Sequence, residues 1–387
     1  MSERKIKIVH ILEGFLGGAS TYVCTVLPEL ARKDFDVTLI CSTNRCSPDA
    51  AERLSELKEK GVTVHIVPMH REINPLRDAR SFISIYRLLS KNDFDIVHTH
   101  CSKAGALGRV AGFLTGRNVR LYTPHCFAFT RCDGRSRKML YLIFEKLLGR
   151  LTTKLVAVAQ SEAATAVDSR IVPDYRCVKI TNGLTNGRLP SEKTSPPKDY
   201  ACKASLGIDR DKRVVVTACR LVEYKGIFRF LEAAELSQAP NTVFLIAGDG
   251  ALRMPAEKFI REKKLDNKVK LLGHVSNMEQ IYSICDVVAL CSDAEAQPYL
   301  LLEAMRAKRP IVATSVIGNK ELISHNSTGL LTEPNPASIA EAIDELLADS
   351  DKYNRLTENA YAYFHKNHTL DKQISELTNI YKSLCKG

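Results

Sequence analysis

The 387-residue chain contains no tryptophan, which argues against a carbohydrate-binding module built on exposed indole rings. No apolar run approaches the roughly 20 residues that a membrane-spanning helix needs. The opening MSERKIKIVHIL has basic residues and a short apolar run but no small-residue cleavage site, so it reads as a first strand rather than a signal peptide. Twelve cysteines include no C-x-x-C pair, so reduced and mostly buried thiols are expected, not disulfides or zinc. The chain has no G-x-G-x-x-G after its first strand, and no acidic residue closes VTLICSTNR, which disfavours a nicotinamide dinucleotide.

What is present is ordinary for a globular protein, with 45% hydrophobic and 26% charged residues. The length suggests two to three domains at about 150 residues each. The net charge of +11 is uneven. Residues 1–190 carry 29 Lys and Arg against 18 Asp and Glu, and residues 191–387 carry 26 of each. An excess confined to one half points to an anionic partner for that half. No basic run is interleaved with aromatics, so nucleic acid is not expected.

Apolar β-branched runs (IKIVHIL, DVTLIC, VTVHIVP, DIVHTH, VRLYTPH, KLVAVA, VKITNG) alternate with segments of helical period. Such alternation means a parallel sheet covered on both faces, a doubly wound α/β domain. LTNGRLPSEKTSPPKDY breaks the rhythm with a linker composition, and the alternation then restarts with RVVVTAC, VFLIAG, KVKLLG, VVALCS, PIVAT and GLLT. The expected organisation is two such domains, residues 1–185 and 200–367, a linker at 186–199, and a final helix at about 368–387 returning to the first domain. The two are expected to face each other across a cleft. In such sheets ligands bind beyond the carboxyl ends of the strands, so functional residues should follow strands.

Five stretches meet that condition. EGFLGGAS places Gly14, Gly17 and Gly18 between a strand and a helix, where bare backbone N–H groups can approach a phosphate. TPHCFAF ends a strand at His125, whose ordinary pKa suits hydrogen bonding or proton roles near neutrality. His98 and His100 of HTH share a strand face, but no third ligand has convincing spacing, so no metal is expected. In CRLVEYKG, Arg220 and Lys225 offer a planar fork and a point charge, suited to a diphosphate that gains charge as it leaves. The D-x-D pairs, which could hold a metal-bound diphosphate, lie before strands (Asp34/Asp36, Asp93/Asp95, Asp209/Asp211) or in a helical region (Asp349/Asp351), the wrong places for a ligand.

The fifth stretch is EAQPYLLLE, residues 295–303. Glu295 falls in the loop after a strand, Pro298 suits the first helical position, and Glu303 lies about 7 Å further along at 1.5 Å per residue. That separation excludes an acid/base pair on one atom. It fits two ends of an elongated ligand whose phosphates lie at the helix start, Gln297 to Leu300.

The E-x7-E pattern in SDAEAQPYLLLEAMRAKRPIVAT resembles the signature of retaining glycosyltransferases of family four, which have the GT-B fold of two Rossmann-like domains. GGAS, HTHCSKAGALGRVAG, TPHCFAF, TNGL, CRLVEYKG, IAGDG and LLGHV resemble that family's segments in the same order, over about residues 5 to 350, as in bacterial polysaccharide enzymes. The resemblance implies a first domain for the acceptor and a second for the donor. It implies Glu295 on the donor sugar, Glu303 on the ribose, Arg220 and Lys225 on the diphosphate, and Gln297, Pro298, Tyr299 and Leu300 along the donor. His274 and Val275 would meet the base, Gly17 and Gly18 would approach the substrates, and His125 would lie beside the transferred sugar. It further implies no cofactor and no metal, a UDP- or GDP-sugar donor, a lipid-linked or oligosaccharide acceptor, and same-face attack with retention. Two departures touch the sugar pocket: Ala296-Gln297 replaces the usual Gly-Phe, and IGNKE has a single Gly318 before Glu321.

Residues 131–154 carry Arg131, Arg135, Arg137, Lys138, Lys146, Arg150 and Lys154 among apolar residues at helical spacing. This segment could rest on an anionic membrane that presents a lipid-linked acceptor, or pack into the core with a solvated basic face. The expected location is the cytoplasm, with a peripheral position on the inner face of the cell membrane if the first reading holds. Two rival functions stay open: a nucleotide-sugar 2-epimerase of the same fold, and a catalytically silent donor-binding subunit.

Overall fold

In a computed structural model that describes residues 4–131, 134–186 and 200–385, the alternation becomes two parallel sheets. The first contains β1 (Ile6–Leu12), β2 (Phe35–Cys41), β3 (Thr63–Ile66), β4 (Ile96–His100), β5 (Val119–Thr123), β6 (Lys154–Ala157) and β7 (Cys177–Lys179), in the order β3-β2-β1-β4-β5-β6-β7. The second contains β8 (Arg213–Ala218), β9 (Thr242–Ala247), β10 (Val269–Gly273), β11 (Val287–Leu290), β12 (Ile311–Thr314) and β13 (Leu330–Thr332), in the order β10-β9-β8-β11-β12-β13. Every neighbouring pair is parallel.

The apolar runs are continuous because helices cover both faces. All six residues of β9 and all four of β11 are buried. Each unit has its own core: Val9, Ile11, Ile40, Val97 and Leu89 in the first, and Val215, Phe244, Ile246, Val287 and Leu330 in the second. Strand order reverses between β1 and β4 and again between β8 and β11. Those two switch points are where an open sheet leaves a crevice for ligands.

The chain divides into residues 1–182 with 370–387, and residues 183–369. The division falls three residues before the expected 185. Leu184 bridges Thr369 and donates its N–H to His368 O at 3.0 Å, which ties 183–185 to the second unit. The final helix, Leu370–Cys385, buries Ile374, Leu377 and Tyr381 and belongs to the first unit, where it packs on helix Gly17–Ala31. Most of the linker, 187–199, lies outside the described residues. Pro298 is the N-cap of helix Tyr299–Arg306, one position earlier than expected, and that helix ends well before Pro310. Among the described residues every cysteine is free, and no helix is long and apolar enough to cross a membrane.

Candidate active site

In the second unit, β8 ends at Ala218 and the chain turns through Arg220 and a short 3-10 turn, Glu223–Lys225, into helix Ile227–Leu236. Gly226 makes this turn possible. Its φ is +66°, and a Cβ would lie 1.9 Å from Cys291 O at the end of β11. The tight approach brings the loops after β8 and β11 together. Lys225 Nζ donates to Glu295 Oε1 at 2.5 Å, with both side chains largely buried. An ammonium has three donor hydrogens and a carboxylate two oxygens, so each keeps capacity for a ligand. Arg220 donates to Tyr224 OH at 2.5 Å.

Glu295 and Glu303 stand where the spacing put them, at the ends of a segment that includes the first turn of helix Tyr299–Arg306. Gln297, Pro298, Tyr299 and Leu300 are buried between them. Tyr282, absent from the sequence reading, donates its hydroxyl to Glu303 Oε2 at 2.6 Å. Burial beside Glu303 pushes the Tyr282 phenol well above its ordinary pKa, so it remains a donor. His274 and Val275 follow β10 directly; His274 is exposed and Val275 half-buried. The D-x-D residues Asp34, Asp93, Asp95, Asp209 and Asp211 lie before β2, β4 and β8, at the other end of the sheets, and Asp349 caps helix Ser350–Asn367.

In the first unit, Gly17 and Gly18 are exposed at the N-terminus of helix Gly17–Ala31, and Gly17 has φ +63°. The loop before them is strapped to the loop after β2 by the Glu13–Arg45 ion pair at 3.0 Å and by Phe15 N–H to Arg45 O. His125 and Cys126 follow β5 in left-handed backbone conformations, φ +51° and +85°. Glu162 holds them there, accepting from Cys126 N–H at 2.5 Å and Val158 N–H at 2.8 Å.

The third imidazole that sequence spacing could not supply is His10 of β1. It stands opposite His98 in the β1–β4 ladder, and ligand atoms of His10, His98 and His100 all lie within 4.8 Å of one another. These nitrogens are engaged with each other and with Tyr381: His10 Nδ1 is 2.9 Å from His100 Nε2, and His98 Nδ1 is 2.6 Å from Tyr381 OH. Burial lowers the pKa of His10 and His125 to about 3 and holds His98 and His100 well below the usual value. The cluster is therefore neutral at physiological pH.

Helix Arg135–Gly149 buries Glu145, Gly149 and, partly, Tyr141 and Leu142. Glu145 anchors it, accepting from Arg109 at 3.0 Å and Tyr122 OH at 2.8 Å. Its outward face carries Met139, Leu140, Ile143, Phe144 and Leu147, each 47–57% exposed, beside exposed Arg135, Arg137, Lys138, Lys146 and Arg150. The helix does not fit the core-packed reading, whose outer face would be basic only. Arg131, at the preceding turn, donates to Cys126 O.

The family model described as glycosyl transferases group 1 matches residues 201–363, and that of glycosyltransferase family 4 matches residues 16–186. An uncharacterised glycosyltransferase of Methanocaldococcus jannaschii is 31% identical, with 76% of this chain and 77% of that protein covered. The chain belongs to the family 4 glycosyltransferases. This glycosyltransferase is also 29% identical to the Escherichia coli UDP-Gal:alpha-D-GlcNAc-diphosphoundecaprenol alpha-1,3-galactosyltransferase, over 97% of each chain. Its fold matches that of HepE from Anabaena, crystallised with UDP and glucose, at a TM-score of 0.83 and 20% identity, covering 98% of this chain and 100% of that one. The two parallel-sheet domains are thus those of a GT-B glycosyltransferase.

Proposed function

We propose that the enzyme transfers a sugar from a UDP-sugar to a saccharide carried on a lipid diphosphate, with retention at the anomeric carbon and without a metal or other cofactor. The acceptor and nucleotide classes rest on the name of the Escherichia coli relative, which matches nearly the full length. The metal-free reading rests on Arg220 and Lys225, which follow β8 with Lys225 bonded to Glu295, while Asp34, Asp93, Asp95, Asp209 and Asp211 of the D-x-D pairs precede their strands, at the other end of the sheets.

In this reading the anomeric C–O bond to the diphosphate breaks while the acceptor oxygen bonds to the same face of that carbon. The acceptor proton passes to the departing phosphate oxygen. Arg220 and Lys225 take up the charge that develops there. Glu295 accepts from donor-sugar hydroxyls, Glu303 from the ribose, and His274 and Val275 meet the base. Gly17 and Gly18 present bare N–H groups, and His125 contacts the sugar.

We further propose that helix Arg135–Gly149 rests on an anionic bilayer on the inner, cytoplasmic side of the cell membrane. Its five exposed apolar side chains and five flanking cations form the kind of face that lies in a headgroup region.

The deciding experiment is incubation with UDP- and GDP-sugars, with and without a polyprenyl-diphosphate saccharide. UDP release that requires the acceptor, abolished by Glu295→Ala with UDP binding retained, is the expected result. Isomerised sugar without acceptor would make the protein an epimerase, and binding without turnover would make it a silent subunit.

A further inference from the structure

A single run of hydrogen bonds crosses the first unit from Thr123 to His125. Thr123 Oγ1 lies 2.8 Å from His98 Nε2, and His98 Nδ1 lies 2.6 Å from Tyr381 OH on the final helix. Tyr381 OH is 3.4 Å from His10 Nε2, and His10 Nδ1 is 2.9 Å from His100 Nε2. His100 Nδ1 is 3.0 Å from His125 Nε2. Thr123, His98, Tyr381, His10 and His100 are all fully buried, and only His125 reaches partial exposure.

A neutral imidazole has one N–H and one lone pair, so the protons along such a chain are not independent. Both nitrogens of His98, His10 and His100 are engaged, and Tyr381 cannot accept from both neighbours without leaving its own buried hydroxyl hydrogen with no acceptor, which leaves two arrangements of opposite polarity. In the first, Thr123 donates to His98, His98 to Tyr381, Tyr381 to His10, His10 to His100 and His100 to His125. His125 then carries its proton on Nδ1. In the second every bond is reversed, His125 Nδ1 is bare, and the buried Thr123 hydroxyl must find another acceptor. Among the described residues Thr123 Oγ1 has no partner besides His98. An unsatisfied buried donor is costly, so the first polarity prevails.

We infer that Thr123, His98, Tyr381, His10 and His100 are positioning residues that fix His125 as its Nδ1–H tautomer, a hydrogen-bond donor toward a sugar oxygen rather than a base. The low pKa of the buried rings supports this, since a doubly protonated ring would break the count. The left-handed backbone at His125 gives the ring no regular secondary-structure support, so its bond to His100 sets its orientation. The inference rests on the proposed contact of His125 with substrate.

The test is the nitrogen spectrum of histidine-labelled full-length enzyme, with the His125 signals assigned by their loss in His125→Gln. The expected result is a protonated Nδ1 and a bare Nε2 on His125. Thr123→Val removes the terminal donor, and Tyr381→Phe cuts the chain in the middle. Both should convert His125 to a tautomer mixture and lower kcat about 10-fold with little change in donor KM. Thr123→Ser should restore the wild-type pattern. A bare Nδ1 in the wild type would overturn the inference, as would one equivalent of metal in the purified enzyme holding these nitrogens. If the tautomer pattern holds but His125→Gln keeps full activity, the chain stands and the substrate contact of His125 fails.

Discussion

The peptide that carries Glu295 rests on Gly318. A Cβ at Gly318 would lie 2.3 Å from Glu295 O and 2.5 Å from Ala296 O, both backbone atoms. Asn319 prevents escape, because it is fully buried and donates to Thr314 O at 2.9 Å. Gly318→Ala should therefore push the Glu295 loop off the Lys225 ammonium. We expect transfer to fall about 10- to 100-fold, since misplacement of about 1 Å costs that much. UDP affinity, which the proposed reading anchors at Glu303, should change far less. Activity equal to wild type would show that the loop yields freely.

Tyr282 holds Glu303 through one bond to a carboxylate oxygen. Hydrogen bonds to charged groups contribute about 1.5–3 kcal/mol. Tyr282→Phe should weaken UDP binding about 10-fold by calorimetry while leaving kcat at saturating donor near wild type. Equal losses in kcat and kcat/KM would instead place Tyr282 in the transition state.

The charged residues of the second unit were readable because each sits within one strand–loop–helix unit: Arg220 and Lys225 after β8, Glu295 and Glu303 around the turn after β11. Periodicity located those strands, and the switch-point rule selected their carboxyl ends. The histidine chain was not readable, because it depends on register between β1 and β4 and on Tyr381, which is 283 residues from His98 in sequence. Tyr282 escaped for the same reason, being 21 residues from Glu303 on another helix. His10 could have been suspected from IVHIL, since β1 and β4 flank the switch point and equivalent positions share a face. Helix Arg135–Gly149 stayed ambiguous because the sequence shows an apolar and basic pattern without showing which face is covered.

Cys126 occupies φ +85°, where a side chain is strained and glycine is not. Its backbone is held by Glu162 and Arg131, so the conformation persists at a cost of about 1 kcal/mol or more. Cys126→Gly should raise the melting temperature of the enzyme by a few degrees, read by circular dichroism. A lower melting temperature would mean that the thiol's packing outweighs the strain.

The buried rings His10, His98 and His100 also set an acid limit. Their folded pKa values lie far below the ordinary 6.5, about 3 for His10, because burial disfavours the charged form. Below about pH 6.5 the unfolded chain binds protons that the folded chain does not, so stability falls as pH falls through that window and is retained above it. Each ring loses about 1.4 kcal/mol per pH unit once well below 6.5, or about 4 kcal/mol for three between pH 7.5 and 5.5. The urea midpoint should drop sharply over that interval, and His10→Gln should flatten the slope. A midpoint constant between pH 7.5 and 5.5 would show that the rings are protonated in the fold.

The outward face of helix Arg135–Gly149 lets the proposed membrane binding be split into two contributions. Juxtamembrane cations contribute about 1 kcal/mol each at an anionic surface and are screened by salt. Apolar side chains that enter the interface contribute through buried area and are not screened. Ile143→Ser with Phe144→Ser leaves all five cations in place, and both side chains point away from the core, so folding should survive. In flotation with vesicles containing anionic lipid, this variant should bind weakly and detach fully at high salt. Arg137→Gln with Lys138→Gln should bind weakly at every salt concentration and lose the preference for anionic lipid. Wild-type protein that fails to float even at low salt would remove the membrane reading, leaving the apolar face to be covered by another protein.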